Sequence, residues 1–298
     1  TAMELSEVPD SLVIIGAGYV GLEQAQLFAH LGARVSLVGR LAPRAEPELA
    51  DRLREILIDD GLSVVEEYAV RVGADAGQAV VTTTSGRLVR GDRLLVATGR
   101  AATTGGMDLA VAGVEVDERG FINVDNHQRT SNPRIWAAGD VSGAPQFVYV
   151  AAATGRVAAL NALGKRSAAQ VDYTGLPAVV FTRPQLASAG LSEAQAHAQG
   201  AAYDSRVLDL SEVPRALVNH DTRGAVKIVA DAATGTVLGV HALADGAGEL
   251  MLAATYAIKA GMTVDDLADT WAPYLTMAES LRLTAGLFRN QMLTSCCA

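Results

Sequence analysis

Hydrophobic residues along the first third of the chain alternate between two periods. Ser11–Ile15 is a short continuous apolar run, residues 20–31 repeat apolar side chains at helical spacing, and Arg34–Val38 is strand-like again. Residues 46–60 place Leu49, Leu53, Ile56 and Leu57 on one helical face, and Gly61 follows where a C-cap favours glycine. Short strands are predicted at 62–66, 79–84, 87–90 and 93–97, with Ser85-Gly86 turning a hairpin. Strands that alternate with helices in this way predict a parallel sheet with crossover helices.

The texture changes at Ala101. Two short strands near Val114 and Ile122 and a third at 135–138 precede an Ala-rich helix at 147–163, a stretch too small for a comfortable independent domain. From about Tyr173 a third pattern predicts strands at 178–181, 207–210, 225–230 and 237–243, with three helices after Asp245. Strands followed by helices read as an α+β domain. The expected division is therefore an α/β Rossmann-like domain over 1–100, a partial domain over 101–170 and an α+β domain over 171–298.

Composition narrows the function classes. The 298 residues are 50% hydrophobic and 19% charged, which is the profile of a chain with a packed core. A net charge of -9 opposes binding to nucleic acid or to an anionic bilayer. No apolar run approaches the roughly 18 residues that span a membrane, and residues 1–10 carry acids rather than a basic leader. A cytoplasmic location is expected.

Gly16-Ala17-Gly18-Tyr19-Val20-Gly21 follows a predicted strand and opens a predicted helix, the context a dinucleotide fingerprint requires. Its first glycine permits the tight turn, its second lets backbone approach a pyrophosphate, and its third lets helix and strand pack closely. The helix N-terminus then offers amides and a positive dipole end to phosphate. About 20 residues on, where an NAD site places an acid, stands Gly39, followed by Arg40 and then Arg44. A guanidinium there grips a 2′-phosphate in two places, so the expected nucleotide is NADPH. The competing explanation is that both arginines are solvated loop residues.

With these motifs placed, the whole chain resembles the two-dinucleotide flavoprotein disulfide reductases. That family carries a second nucleotide fold with a motif like Gly16 to Gly21, a strand ending like Val96-Ala97-Thr98-Gly99-Arg100, and a stretch ending like Ala137-Ala138-Gly139-Asp140. The resemblance implies that residues 101–170 complete an FAD-binding domain, with Gly99 and Arg100 among the cofactor-binding residues and Asp140 accepting from the ribityl chain. It implies that Gln146, Phe147 and Val148 lie by the flavin ring, and that residues 171–298 form the interface of a homodimer. Tyr19 is similar to the aromatic gate over the flavin, and Glu23 to the acid beside the nicotinamide.

Three departures refine the resemblance. The family begins with an FAD glycine motif and a redox cysteine pair, and neither is found here, so the chain is expected to lack the first half of the FAD domain and to be incomplete for catalysis. Disulfide reductases place His in a His-Pro-Thr-x-x-Glu pattern, whereas this chain has Tyr274-Leu275-Thr276-Met277-Ala278-Glu279. A free phenol, with a pKa of about 10, is a poor proton shuttle at neutral pH. Thr276 and Glu279 are also spaced as a helix capping box, which is the preferred structural reading. The two cysteines, Cys296 and Cys297, are adjacent near the end. Neighbouring Cα atoms lie about 3.8 Å apart, so a bond between them is strained and the pair suits a soft thiophilic cation. Together these features resemble the mercury(II)-reducing branch of the family. There the tail dithiol would pass mercury(II) to the other subunit, with Tyr274 lining the route and Cys296 and Cys297 as the metal ligands. The alternatives are a large thioredoxin reductase, which predicts His in place of Tyr274, and a nucleotide-binding module without chemistry of its own.

Overall fold

The computed structural model describes residues 2–164 and 169–289. Its contacts form two compact units: one joins the segment up to Thr98 with the segment from Thr174 onward, and the other is Gly99–Tyr173.

The first unit opens with β1 (Ser11–Ile15), α1 (Tyr19–His30), β2 (Arg34–Val38), α2 (Pro47–Asp59) and β3 (Ser63–Val65). An antiparallel meander of β4 (Ala69–Asp75), β5 (Gln78–Thr83) and β6 (Leu88–Gly91) leads into β7 (Arg93–Val96). The main sheet is parallel in the order β3-β2-β1-β7. All five residues of β1 are buried, as a central strand covered on both faces requires. Strand β4 is an addition to the expected elements: Ala76 and Gly77, both at positive φ, turn it into β5.

The second unit contains one long helix, α3 (Val148–Ala162), within a loop-rich segment that packs around Val114, Ile122 and Ala137. The strands expected near Val114, Ile122 and 135–138 do not form. Single bridges stand instead, Val116 to Ile122 and Arg129 to Trp136. Asp125 accepts from the backbone of His127 and Arg129, and Thr130 donates to the carbonyls of Asn132 and Ile135. These local bonds take up polar groups that a ladder would have used.

The first unit resumes with β8 (Pro177–Val180), β9 (Gln185–Gly190), α4 (Glu193–Ala198), β10 (Tyr203–Asp209), α5 (Pro214–Val218), β11 (Ala225–Asp231) and β12 (Val237–Ala244). Helices α6 (Ala247–Lys259), α7 (Val264–Asp269) and α8 (Glu279–Gly286) complete it. The five strands are antiparallel in the order β10-β11-β12-β9-β8. Alternation assigns the two faces of β11. Val226, Ile228 and Ala230 pack with Leu250, Met251 and Leu281 from the helices. Ala225 instead shares a core with Leu12, Ile14, Leu49 and Leu53 of the parallel-sheet layer, together with Val180, Leu186 and Leu243.

That second face also carries charge. Lys227, opposite His241 across β11 and β12, is 2% exposed and reaches three carboxylates: Glu46 Oε2 at 2.7 Å, Glu48 Oε1 at 2.5 Å and Glu193 Oε1 at 2.9 Å. Burial alone would push the ammonium down, but the hydrogen bonds to these acids outweigh it and hold Lys227 above its ordinary value. His241 Nε2 donates to the Leu191 carbonyl at 3.0 Å and lies 3.7 Å from Glu46. Burial pushes this imidazole down; the Leu191 bond and Glu46 oppose the shift, and Lys227 adds to it.

With its folded value below the unfolded one, His241 contributes stability that is complete above about 6.5 and is lost as pH falls, at up to about 1.4 kcal/mol per pH unit. His241→Gln should flatten that part of the acid limb in urea unfolding followed from pH 7.5 to 5. An unchanged slope would assign the acid loss to other groups.

Candidate functional site

The fingerprint turn is built from backbone approaches that no side chain tolerates. A Cβ on Gly21 would stand 1.7 Å from the Gly16 carbonyl oxygen, and one on Gly16 (φ 105°) would stand 2.4 Å from the oxygen of Ala97. A Cβ on Gly18, by contrast, would meet nothing within 4 Å. The open side of the turn is therefore at Gly18, which is the N-cap of α1 and offers no side-chain cap. Helix α1 therefore begins at this opening, where the positive end of its dipole favours a phosphate.

The loop after β2 borders the same end of the sheet. Gly39 (φ 141°) passes close to the turn, where a Cβ would come within 3.2 Å of the Ala17 nitrogen, and Ala42 N–H donates to the Ala17 carbonyl at 2.9 Å. Leu41 and Ala42 are buried, whereas Arg40 and Arg44 are exposed. Among the described residues neither arginine makes a side-chain hydrogen bond or an ion pair with a carboxylate. Burial raises the Tyr19 phenol, and the charge of Arg44 opposes that shift, which puts Arg44 and Tyr19 within electrostatic reach. Glu23, one turn into α1, accepts at one carboxylate oxygen from Phe181 N–H at 2.9 Å. Gln26, three residues further on the same face, accepts from Arg183 N–H at 2.6 Å and donates to Arg183 O at 2.9 Å. The segment after β8 is thus tied to α1 beside the cradle, a role for Glu23 and Gln26 that periodicity alone did not reveal.

Gly99, Arg100, Asp140, Gln146, Phe147 and Val148 all belong to the second unit. Arg100, Phe121, Asp140 and Gln146 line a cleft of about 330 Å³, across which Arg100 Nη1 and Asp140 Oδ2 stand 3.3 Å apart. Gly139 (φ 74°) donates its N–H to Thr154 Oγ1 at 2.9 Å and packs against Ala151, so the turn that presents Asp140 is held by α3. Helix α3 opens after Phe147 without a side-chain cap, and the Phe147 and Tyr149 rings stack with centroids 5.2 Å apart. Thr154, buried on an Ala-rich helix, belongs to no sequence motif; a lone polar residue on an apolar face is its only signal.

Tyr274 is 44% exposed, and the next residue, Leu275, holds a left-handed φ of 60° that costs a non-glycine residue strain. The expected capping box is not formed. Thr276 donates to the Pro273 carbonyl at 2.8 Å, and Glu279 is the first residue of α8, 1% exposed, with no hydrogen-bond donor for its carboxylate among the described residues. Its nearest cation is Arg282 Nη2 at 3.9 Å. Cys296 and Cys297 lie outside the described residues. Among the described residues no cluster of His, Cys, Asp and Glu could hold a metal ion, and no helix is long and apolar enough to cross a membrane.

A parallel sheet with a glycine turn at its helix start, joined to an antiparallel sheet and its helices, defines a dinucleotide-fold protein with an appended α+β domain. The chain belongs to the pyridine nucleotide-disulphide oxidoreductase family, whose profile matches residues 1–155 and whose dimerisation-domain profile matches residues 176–285. It is 52% identical to a mercuric reductase from Streptomyces lividans over 100% of this chain and 64% of that protein. Mercuric reductases from Lysinibacillus sphaericus (42% identical, 100% and 56% covered) and Acidithiobacillus ferrooxidans (46%, 98% and 53%) are also similar. The chain thus spans between about half and two thirds of the length of these relatives. Among solved structures, the HOCl-induced flavoprotein disulfide reductase RclA from Escherichia coli superposes with a TM-score of 0.86 at 32% identity, covering 96% of this chain and 66% of that one. LpdA from Mycobacterium tuberculosis superposes with a TM-score of 0.86 at 30% identity, covering 96% and 63%.

The glycine geometry separates fold from binding. Gly21→Ala should cost about 3 kcal/mol in urea unfolding, because backbone must move. Gly18→Ala, at φ −87° and facing open space, should cost no more than about 1 kcal/mol, the loss of a preferred N-cap residue, yet abolish measurable dinucleotide binding by calorimetry. Equal stability losses in the two variants would reject this division of roles.

Proposed function

We propose that the chain is the NADPH-binding, flavin-completing and dimer-forming part of a mercury(II) reductase. The observation that carries this reading is the 52% identity to a mercuric reductase over the whole chain, with relatives of the same name at 40–46%. Tyr274 in place of the family histidine and the Cys296-Cys297 tail point the same way.

In this reading Gly16, Gly18 and Gly21 shape the NADPH pyrophosphate cradle, and the α1 amides at Tyr19 and Val20 bind it. Arg40 and Arg44 hold the 2′-phosphate. Tyr19 covers the nicotinamide pocket, and Glu23, braced by Phe181, borders it. The cleft at Arg100, Asp140 and Gln146 fits part of an FAD: Asp140 can accept from a ribityl hydroxyl, and the uncapped start of α3 at Phe147 and Val148 can face the flavin ring. When bound, FAD supplies a two-electron relay. Over the reaction, one hydride equivalent from NADPH reduces one mercury(II) ion to the element and releases one proton.

Cys296 and Cys297 collect the ion as thiolates and pass it to the active site of the partner subunit across a homodimer interface, with Tyr274 along the path. No thiolate leaves from a disulfide substrate, so a tyrosine in place of an acid-base histidine is chemically tolerable.

Arg40→Ala should raise the Kd for NADPH about tenfold or more, the loss of a charge-assisted contact, and change that for NADH less than about twofold. Equal losses would misplace the 2′-phosphate. In a homodimer reconstituted with the rest of a relative's chain, Cys296→Ala/Cys297→Ala should reduce mercury(II) turnover on the order of tenfold under excess competing thiol, where scavenging by the tail limits the rate. Undiminished turnover, or preference for oxidised glutathione over mercury(II), would overturn the reading.

A further inference from the structure

The Lys227 cluster lies outside the machinery above, yet it stands at the root of the loop that carries Arg40 and Arg44. Glu46 is the N-cap residue of α2, and its carboxylate does not cap that helix. It is 2% exposed and points to the antiparallel sheet, where Oε1 accepts from Glu193 N–H at 2.8 Å and Oε2 accepts from Lys227 Nζ at 2.7 Å. Glu48, in the first turn of α2, is held by the same ammonium.

The 40–45 loop is thus tied at both ends. At its start, Gly39 N–H donates to the Val65 carbonyl and Ala42 N–H to the Ala17 carbonyl, at 3.0 and 2.9 Å. At its end, the cation that holds Glu46 and Glu48 among the described residues is Lys227, on β11 of the antiparallel sheet. Without that ammonium, Glu46, Glu48 and Glu193 would repel one another at the beginning of α2, and a buried carboxylate without its partner must move toward water.

We propose that Lys227 is a positioning residue for NADPH: by fixing Glu46 and Glu48 it sets the 40–45 loop so that Arg40 and Arg44 meet the 2′-phosphate, making nucleotide selectivity depend on the docked antiparallel sheet. This inference rests on the assignment of the 2′-phosphate to Arg40 and Arg44. It assigns to the α+β domain a role in cofactor choice as well as in association.

The test is calorimetric titration of the 298-residue chain with NADPH and with NADH. Lys227→Met should raise the NADPH Kd about tenfold, within the usual range of coupling between sites, and the NADH Kd less than about twofold. Lys227→Met/Glu46→Gln serves as the second variant, because it removes one charge of each sign. Glu48 and Glu193, whose side chains are 34% and 32% exposed, can then take up water. It should fold and show the same change in the NADPH to NADH ratio. An unaltered ratio in both variants, whatever their melting temperatures, would make Lys227 merely structural and overturn the proposal.

The Arg40→Ala/Arg44→Ala background distinguishes the two levels. If that pair of substitutions leaves the ratio unchanged, the phosphate assignment fails and the proposal falls with it. If the pair abolishes selectivity and Lys227→Met then changes the ratio no further, the lysine acts through the arginines. Additive losses in that background would show it acting elsewhere.

Discussion

Everything at the nucleotide end of the molecule depends on how closely three backbone segments approach one another. Gly21 of α1 lies against the Gly16 carbonyl, and Gly16 lies against Ala97 after β7, at separations that exclude a side chain. That approach lets Leu22 and Ala25 enter the sheet's core and aims the axis of α1 at the Gly18 opening. A single methyl group at Gly21 would push the helix off the strand, and the cradle, the core and the tie from Glu23 to Phe181 would shift together. Packing and the open cradle at Gly18 are therefore one constraint seen from two sides of the same turn.

The antiparallel sheet is part of this frame. One face of β11 and β12 packs against its own helices, while the other shares an apolar core with β1 and α2. Into that second face the chain inserts Lys227 and His241, which an apolar pair could have replaced at lower desolvation cost. A buried ion cluster contributes little net stability, but its directional bonds join Lys227 of β11 to Glu46 and Glu48 of α2. Gln26, with bonds to both Arg183 N and O, joins α1 to the segment after β8.

Much of the parallel sheet was legible because its signals are local: helical and strand periods, a glycine spacing, a C-cap. Strand β4 was not, since nearly all of Ala69–Asp75 is exposed and no alternation marks it. Strand β9 was hidden by composition, as Ala187, Ser188, Ala189 and Gly190 give little hydrophobic contrast. Residues 114, 122 and 135–138 mimic strands but spend their backbone on single bridges and Asx or Thr turns. In the candidate site, Gly16, Gly18, Gly21, Arg40 and Arg44 could be read from spacing, whereas Glu46 and Lys227, 181 positions apart, meet only through tertiary structure. A charge inside the apolar run Ala225–Asp231 was the one sign that Lys227 is buried and paired.

The Tyr274 turn shows the same limit from the opposite direction. Thr276 and Glu279 have the spacing of a capping box, but a box needs Glu279 at the surface, reaching back to the N-cap amide. Here the positive φ of Leu275 bends the chain so that Thr276 bonds Pro273 and Glu279 turns into the core of α8. Strain of this kind persists only where surrounding packing over-determines it, and α8 supplies that packing by burying Leu281, Leu283 and Ala285 in the core. The consequence is that Tyr274 is presented outward on a backbone that helix propensity alone would not select.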